Sequence, residues 1–161
     1  MADANLGSCA RREGDLGTAE THLRNALKSY QQIRHEPGVV NTLAELGFVA
    51  EQRGDAAEAL ACHIAGFERA SELGNQRSAA LALEGLAGAQ VVVGRPVRAA
   101  RLLGTAAALR ERAEAPAPAP ERPDIERITE AVRDQLGAET FAAEFNAGRA
   151  LQPQEHLTDG R

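Results

Sequence analysis

The chain has 161 residues, a net charge of −5, 3% aromatic residues and no Trp. That length makes one domain with a core of its own, and the acidic balance excludes the basic patch that nucleic-acid binding needs. Two cysteines, Cys9 and Cys62, are too few for a disulfide scaffold and read as reduced thiols in or near the core.

Met1 is not followed by a basic stretch and an apolar run, and no segment has the roughly 18 consecutive apolar residues of a membrane helix. The cytoplasm is the expected compartment. Alanine is abundant while β-branched and aromatic residues are sparse, which predicts closely packed helices and no sheet. The preference for Arg over Lys, with much Ala, Gly and Pro, points to a GC-rich bacterial genome.

Taken in chain order, the elements repeat. Gly14, Gly54 and Gly94 are spaced by 40, as are Leu6, Leu46 and Leu86, and Ala19, Ala59 and Ala99. Gly7, Gly47 and Ala87 hold the step with a small residue, and so do Ala26, Gly66 and Ala106. Each unit, about 1–36, 37–74 and 75–114, reads as helix, tight turn, helix. In the second unit the first helix is predicted over about 39–53. Gly54 ends it and Asp55 caps the next, which runs over about 56–73 with Glu58 in a capping-box position. Gly74 and Asn75 repeat the device, and Pro37 and Pro96 suit the first turn of a helix. The small residues allow close approach, expected between Gly47 and Ala59 and between Ala87 and Ala99. Each hairpin alone leaves an apolar face bare, so the units must stack.

Residues 115–123 carry Pro116, Pro118, Pro120 and Pro123 among alanines and form a stiff connector. A helical pair follows over 124–151, with Ile125, Ile128, Val132 and Leu136 at helical spacing. It is expected to cap the third unit's open face. Residues 152–161 are expected to be a loose tail with at most a short turn around 154–157. The N-terminal unit has no cap, and that open end offers a surface for a homodimer.

Leu6-Gly7, Gly14-Asp15, Ala19, Leu23 and Ala26, with their counterparts in the next two units, resemble the tetratricopeptide-repeat pattern. The period of 40 exceeds that family's usual one and implies longer helices. The stretches Leu73-Gly74-Asn75-Gln76-Arg77, Ala99-Ala100-Arg101-Leu102-Leu103-Gly104 and Ala147-Gly148-Arg149-Ala150-Leu151 are similar to the C-terminal repeat region of bacterial signal-transduction ATPase regulators of the LuxR type. No phosphate-binding glycine-rich loop is present, so the likeness covers only their C-terminal sensor or scaffold part. A free-standing module and a piece of a larger regulator fit equally.

The resemblance implies an all-α superhelix of three hairpins plus a two-helix cap, with a concave groove lined by the first helix of each hairpin. Its groove-facing positions fall on Asn5, Ser8 and Arg12, on Asn41, Glu45, Phe48 and Gln52, and on Leu81, Glu84, Gly88, Val91 and Val92. Phe48 stands where the other units have Ser8 and Gly88, so it is the expected anchor for a partner. Arg12, Asn41 and Gln52 could clamp a peptide backbone or carboxylate.

Chemistry is not evident. His22, His35, His63 and His156 include no metal-binding pair, and neither Ser8 nor Ser78 has a nucleophile motif. His63 takes the slot of Leu23 and Leu103 and reads as a half-buried packing residue. No catalytic residue, metal or cofactor is assigned. The expected role is a regulatory module that binds a protein or peptide, with no direct contact to nucleic acid or membrane. The alternative is a small-molecule sensor with its pocket between repeats and cap.

Overall fold

The computed structural model describes residues 2–158. Among them are nine helices and no strand: α1 (Ala2–Arg12), α2 (Leu16–Gln32), α3 (Glu36–Gln52), α4 (Ala56–Glu72), α5 (Gln76–Val92), α6 (Pro96–Arg112), α7 (Arg122–Leu136), α8 (Ala138–Arg149) and α9 (Glu155–Thr158). The first six form three antiparallel hairpins, each helix packed on the next. α3 also touches α1 and α5, whereas α2, α4 and α6 make no comparable contact with one another. The first helices therefore line the concave side of an all-α superhelix and the second helices its outer side.

The step that builds this stack is 20 residues, half the interval visible in the glycines. Left-handed backbone recurs at Gly14, Arg34, Gly54, Gly74, Gly94 and Glu114. Arg34 (φ 53°) and Glu114 (φ 50°) hold a conformation that costs an L-residue about 1 kcal/mol or more. At each of these turns the next N–H reaches back to the last helical turn. Asp15 bonds the Ala10 carbonyl at 2.9 Å, His35 bonds Tyr30 at 2.9 Å, and the same bond recurs from Asp55, Asn75, Arg95 and Ala115. This is a Schellman closure, which satisfies carbonyls the helix would otherwise leave bare.

Most of those residues then cap the next helix with their side chains. Asp15, His35, Asp55 and Asn75 accept from the backbone N–H three positions on, at 3.0 to 3.1 Å. Arg95 breaks the series, and α6 has no side-chain cap. One residue thus stops one helix and starts another. α2 through α6 are consequently all 17 residues long.

Packing follows from the shared phase. Ala19, Ala59 and Ala99 are wholly enclosed. Leu46 and Leu86 are 3% and 4% exposed against the preceding hairpin, while Leu6 in the matching slot of the first hairpin is 52% exposed. The atoms nearest to the room beside Gly47 are those of the His63 ring. That ring is wedged between Gly47 and Gly85, neither of which could carry a Cβ there. Of the two thiols expected in or near the core, Cys62 is buried there, but Cys9 is exposed on α1. Burial pushes the Cys62 thiol up to about 12, which leaves it unreactive near neutral pH.

The C-terminal pair divides. α8 covers the third hairpin, crossing α6 where Gly104 and Gly148 each meet the other helix's backbone with no space for a Cβ. Thr105 Oγ1 donates to the Gly148 carbonyl at 2.6 Å across that crossing. α7 instead packs on α5 and α6 along the concave side. The segment expected to be loose is docked up to residue 158. Pro153 and His156 are buried. His156 Nε2 lies 2.7 Å from Thr105 Oγ1, and the His156 carbonyl accepts from Arg98 at 2.7 Å. Residues 159–161 of that tail lie outside the described ones.

The turn conformation yields a stability test. Arg34 has an exposed side chain, so Arg34→Gly relieves its backbone and raises the unfolding free energy by about 0.5 to 1 kcal/mol in urea titrations. Gly54→Ala at the matching turn lowers it by about 1 kcal/mol.

Candidate partner-binding groove

The concave side is built from α1, α3 and α5, and part of it is filled from within. α7 presents its apolar stripe there, with Ile128 and Val132 essentially inaccessible at 1% and 0% exposure. Ile128 reaches so close to Gly88 that a Cβ at that position would lie 2.8 Å from its Cδ1. The slot expected to face a partner at Gly88 is therefore occupied by the chain itself.

Charges fix α7 in place. Arg11 on α1 donates bidentately to Asp124 on α7, at 3.0 and 2.9 Å, and through Nε to Glu45 on α3 at 2.8 Å. Arg127 on α7 grips both oxygens of Glu51 at the end of α3, at 2.7 Å each. Beside them Arg110 on α6 holds both oxygens of Glu84 on α5, at 2.8 and 2.7 Å, and also reaches Glu121 at 3.0 Å. Arg77 donates to the other oxygen of Glu121 at 2.6 Å. Burial pushes the Glu84 carboxyl up, against the pull of the Arg110 hydrogen bonds. Such pairs fix position more than they stabilise. The desolvation cost of each charge nearly offsets its attraction, yet an unpaired partner would be costly.

The predicted groove residues fall into two groups. Phe48 is not an open anchor. It is 3% exposed, its ring meets His63 edge-on at 4.9 Å, and the Arg11 guanidinium lies 5.3 Å above it. Glu84 is enclosed in its pair with Arg110, and Val91 is half-buried against the core. Gln52 and Val92 are exposed at the far ends of α3 and α5. Asn5, Ser8, Arg12, Asn41, Glu45 and Leu81 do come together, and they line an open cleft of about 320 Å³.

That cleft is bounded by more than the first helices. Tyr30 from the end of α2, His35 from the turn and Arg77 from the first turn of α5 join its walls, and Pro120 and Glu121 close one end just before α7. These residues could not be picked out from repeat phase alone. Tyr30 and His35 belong to a second helix and its turn. Arg77 and Glu121 meet only because α7 docks where it does. Asn41 and Arg12 are exposed in the cleft, whereas Glu45 is half-buried and engaged by Arg11. The site therefore offers a cation and two side-chain amides beside the apolar surfaces of Leu81 and Tyr30.

Behind the cleft sits His63, wholly buried with neither ring nitrogen hydrogen-bonded. It lies deeper than the half-buried packing position that its repeat slot predicts. Burial pulls its pKa down to about 3, with Asp124 raising it and Arg11 lowering it by smaller amounts. Among the described residues no group of three or more His, Cys, Asp and Glu could hold a metal ion, and no helix is long and apolar enough to cross a membrane. Comparison with protein-family models, curated proteins and solved structures finds no match to this chain.

Two measurements follow. Asp124→Ala leaves the buried Arg11 with Glu45 alone, so urea titration reports a loss of about 3 kcal/mol. Hydrogen exchange in α7 then accelerates before that of α4 and α5. His63 gains a proton on unfolding, because its folded pKa lies below the unfolded value of about 6.5. Its contribution is complete above pH ~6.5 and falls by about 1.4 kcal/mol per pH unit as the pH drops toward the folded value. His63→Leu, matching Leu23 and Leu103, flattens the stability profile between pH 6.5 and 5. An unchanged slope in that variant assigns the acid sensitivity to other groups.

Proposed function

We propose that this chain is a non-catalytic interaction module that binds a peptide segment of a partner protein in the open part of its concave groove. The observation that carries the reading is the convergence of Asn5, Ser8, Arg12, Asn41, Glu45 and Leu81 in one cleft. Arg12 and the two asparagines supply donors for backbone carbonyls or a carboxylate. Leu81 and Tyr30 supply an apolar wall for one side chain. A segment with an acidic group next to an apolar residue fits this pattern.

The resemblance to tetratricopeptide repeats and to the C-terminal repeats of LuxR-type regulators supports a regulatory scaffold acting in the cytoplasm. The exposure of Leu6, where Leu46 and Leu86 are covered, supports α1 as a second contact surface through which two copies could meet.

Site-specific photo-crosslinking in the native cell tests the cleft. Probes at Ser8 and Asn41 should capture the same partner, whereas a probe at Thr21 on the outer helix α2 should not. Arg12→Glu should weaken capture by roughly tenfold, about 1.4 kcal/mol. Equal capture from Thr21, or no change with Arg12→Glu, would overturn the reading.

A further inference from the structure

α7 lies in the concave groove on a seat built by the three hairpins. Arg11 of α1 donates two hydrogen bonds to the Asp124 carboxylate, at 3.0 and 2.9 Å. Glu51 of α3 accepts two from the Arg127 guanidinium, at 2.7 Å each. Gly88 of α5 leaves the hollow that Ile128 enters, where the matching slots of the other repeats hold Phe48 and Ser8. A Cβ at Gly88 would lie 2.8 Å from Ile128 Cδ1 and 3.0 Å from the Glu51 carboxylate carbon, so the missing side chain makes room for both.

Such a seat reads a helix by its spacing. It takes a carboxylate, a cation three residues on, an aliphatic side chain next to that and another four further, as Asp124, Arg127, Ile128 and Val132 do. Residues three and four apart share one helix face, so a helix with that order of side chains fits the groove.

The hold on α7 is weaker than the hold on its neighbours. It touches α5, α6 and α8 far less than α8 touches α6. Its first turn has no side-chain cap. The linker before it, 113–121, carries Pro116, Pro118 and Pro120 and no helix. After it comes Gly137 alone, at φ 79° and in open space, a conformation that separates α7 from α8. The end residues add Glu121 paired with Arg110 and Arg77, and Arg133 over the Phe141 ring at 4.8 Å. α8 has its own hold on α6, through the Gly104–Gly148 crossing and the Arg101–Glu144 and Arg149–Glu111 pairs at 2.6 Å. The ion pairs of α7 select its position and add little net stability, because lifting the whole helix returns both partners of each pair to water.

We propose that α7 is a displaceable strap, and that its seat docks an amphipathic helix of a partner protein with the same order of charges and aliphatic side chains. α7 stands in the free chain where the partner's helix stands in the complex. With the strap lifted, the filled and open parts of the concave side join in one groove. Arg11, Glu51 and Gly88 do not line the open cleft, so the inference does not rest on the peptide reading and either can fail alone.

The test uses the full chain and a fluorescein-labelled peptide of residues 120–137, followed by anisotropy. Arg127→Glu sets like charges together at Glu51 and lifts the strap, while the seat keeps its native residues. This variant should bind the peptide more tightly than the native chain does, by roughly tenfold or more, because its seat is no longer occupied. A peptide carrying the same substitution should bind neither chain. Glu51→Arg should reverse the choice and prefer the substituted peptide, with circular dichroism reporting that each variant is folded. Hydrogen exchange in the native chain decides without any variant: α7 should open at a lower free energy than α3 to α6 and α8. No peptide binding to a folded Arg127→Glu chain, equal binding of the two peptides, or α7 amides that exchange only with global unfolding would each overturn the proposal.

Discussion

A left-handed residue at every twentieth position governs this molecule. It forces one helix to end, and the residue after it both closes that helix and, in most cases, caps the next. Only three residues separate each helix from the next between α1 and α6, so these helices cannot drift in length or phase. Equal phase puts equal slots in equal places. Ala19, Ala59 and Ala99 are then wholly enclosed, and Leu46 and Leu86 fill the gap between hairpins. The apolar stripe of each helix stays aimed at its neighbours because the turn allows no other rotation. Burial supplies the stabilising energy, at about 25 cal/mol per Å² of apolar surface. The turns decide which surface is buried.

With phase fixed, the concave side is a sheet of helix faces that charge must organise. Glu45, Glu51 and Glu84 all look inward, where a lone carboxylate would be costly. Each is met by an arginine from another element: Arg11 from α1, Arg127 from α7 and Arg110 from α6. Apolar burial is non-directional, so the stripe of α7 does not by itself fix one docking position. The pairs with Asp124 and Arg127 select one. Docking α7 then divides the concave groove into a filled part near Gly88 and an open part near Asn41. The open part is thus as much a product of the C-terminal helix as of the repeats.

What was legible in the sequence was whatever the repeat writes with a distinctive residue. Glycine marks four of the turns, so the hairpins, their order and most helix bounds could be read to within about three residues. Arg34 and Glu114 hid the true step, because nothing in an Arg or Glu announces a left-handed backbone. The resemblance to tetratricopeptide repeats implied the groove-facing positions and with them six residues of the cleft. It also nominated Phe48 and Glu84, since phase tells which way a side chain leaves the helix and not what lands on it. The path of α7 depends on ion pairs between residues more than 70 positions apart, such as Arg11 with Asp124 and Glu51 with Arg127. No local pattern carries that. The tail read as loose because it is polar, although Pro153 and His156 supply enough buried surface to hold it on α6.

The places where this chain breaks its own rules differ in kind, and the difference is informative. Arg34 and Glu114 violate a backbone preference singly, each at a turn whose closure the architecture imposes regardless of side chain. His63 violates polar satisfaction, but its ring fills the space that Gly47 and Gly85 leave, so packing accounts for its size if not for its nitrogens. Gln90, whose buried side-chain oxygen has no hydrogen-bond partner, and Arg95, which makes no side-chain cap, have no such account. Alanine and aspartate serve those slots in the other repeats, would fit, and would cost less. Gln90 and Arg95 sit at one turn, where the Arg95 N–H closes α5 on the Gln90 carbonyl, so the backbone of the repeat is kept where its side-chain pattern is not. Backbone closure and side-chain capping are thus separable demands, and only the first is met at every turn of the stack.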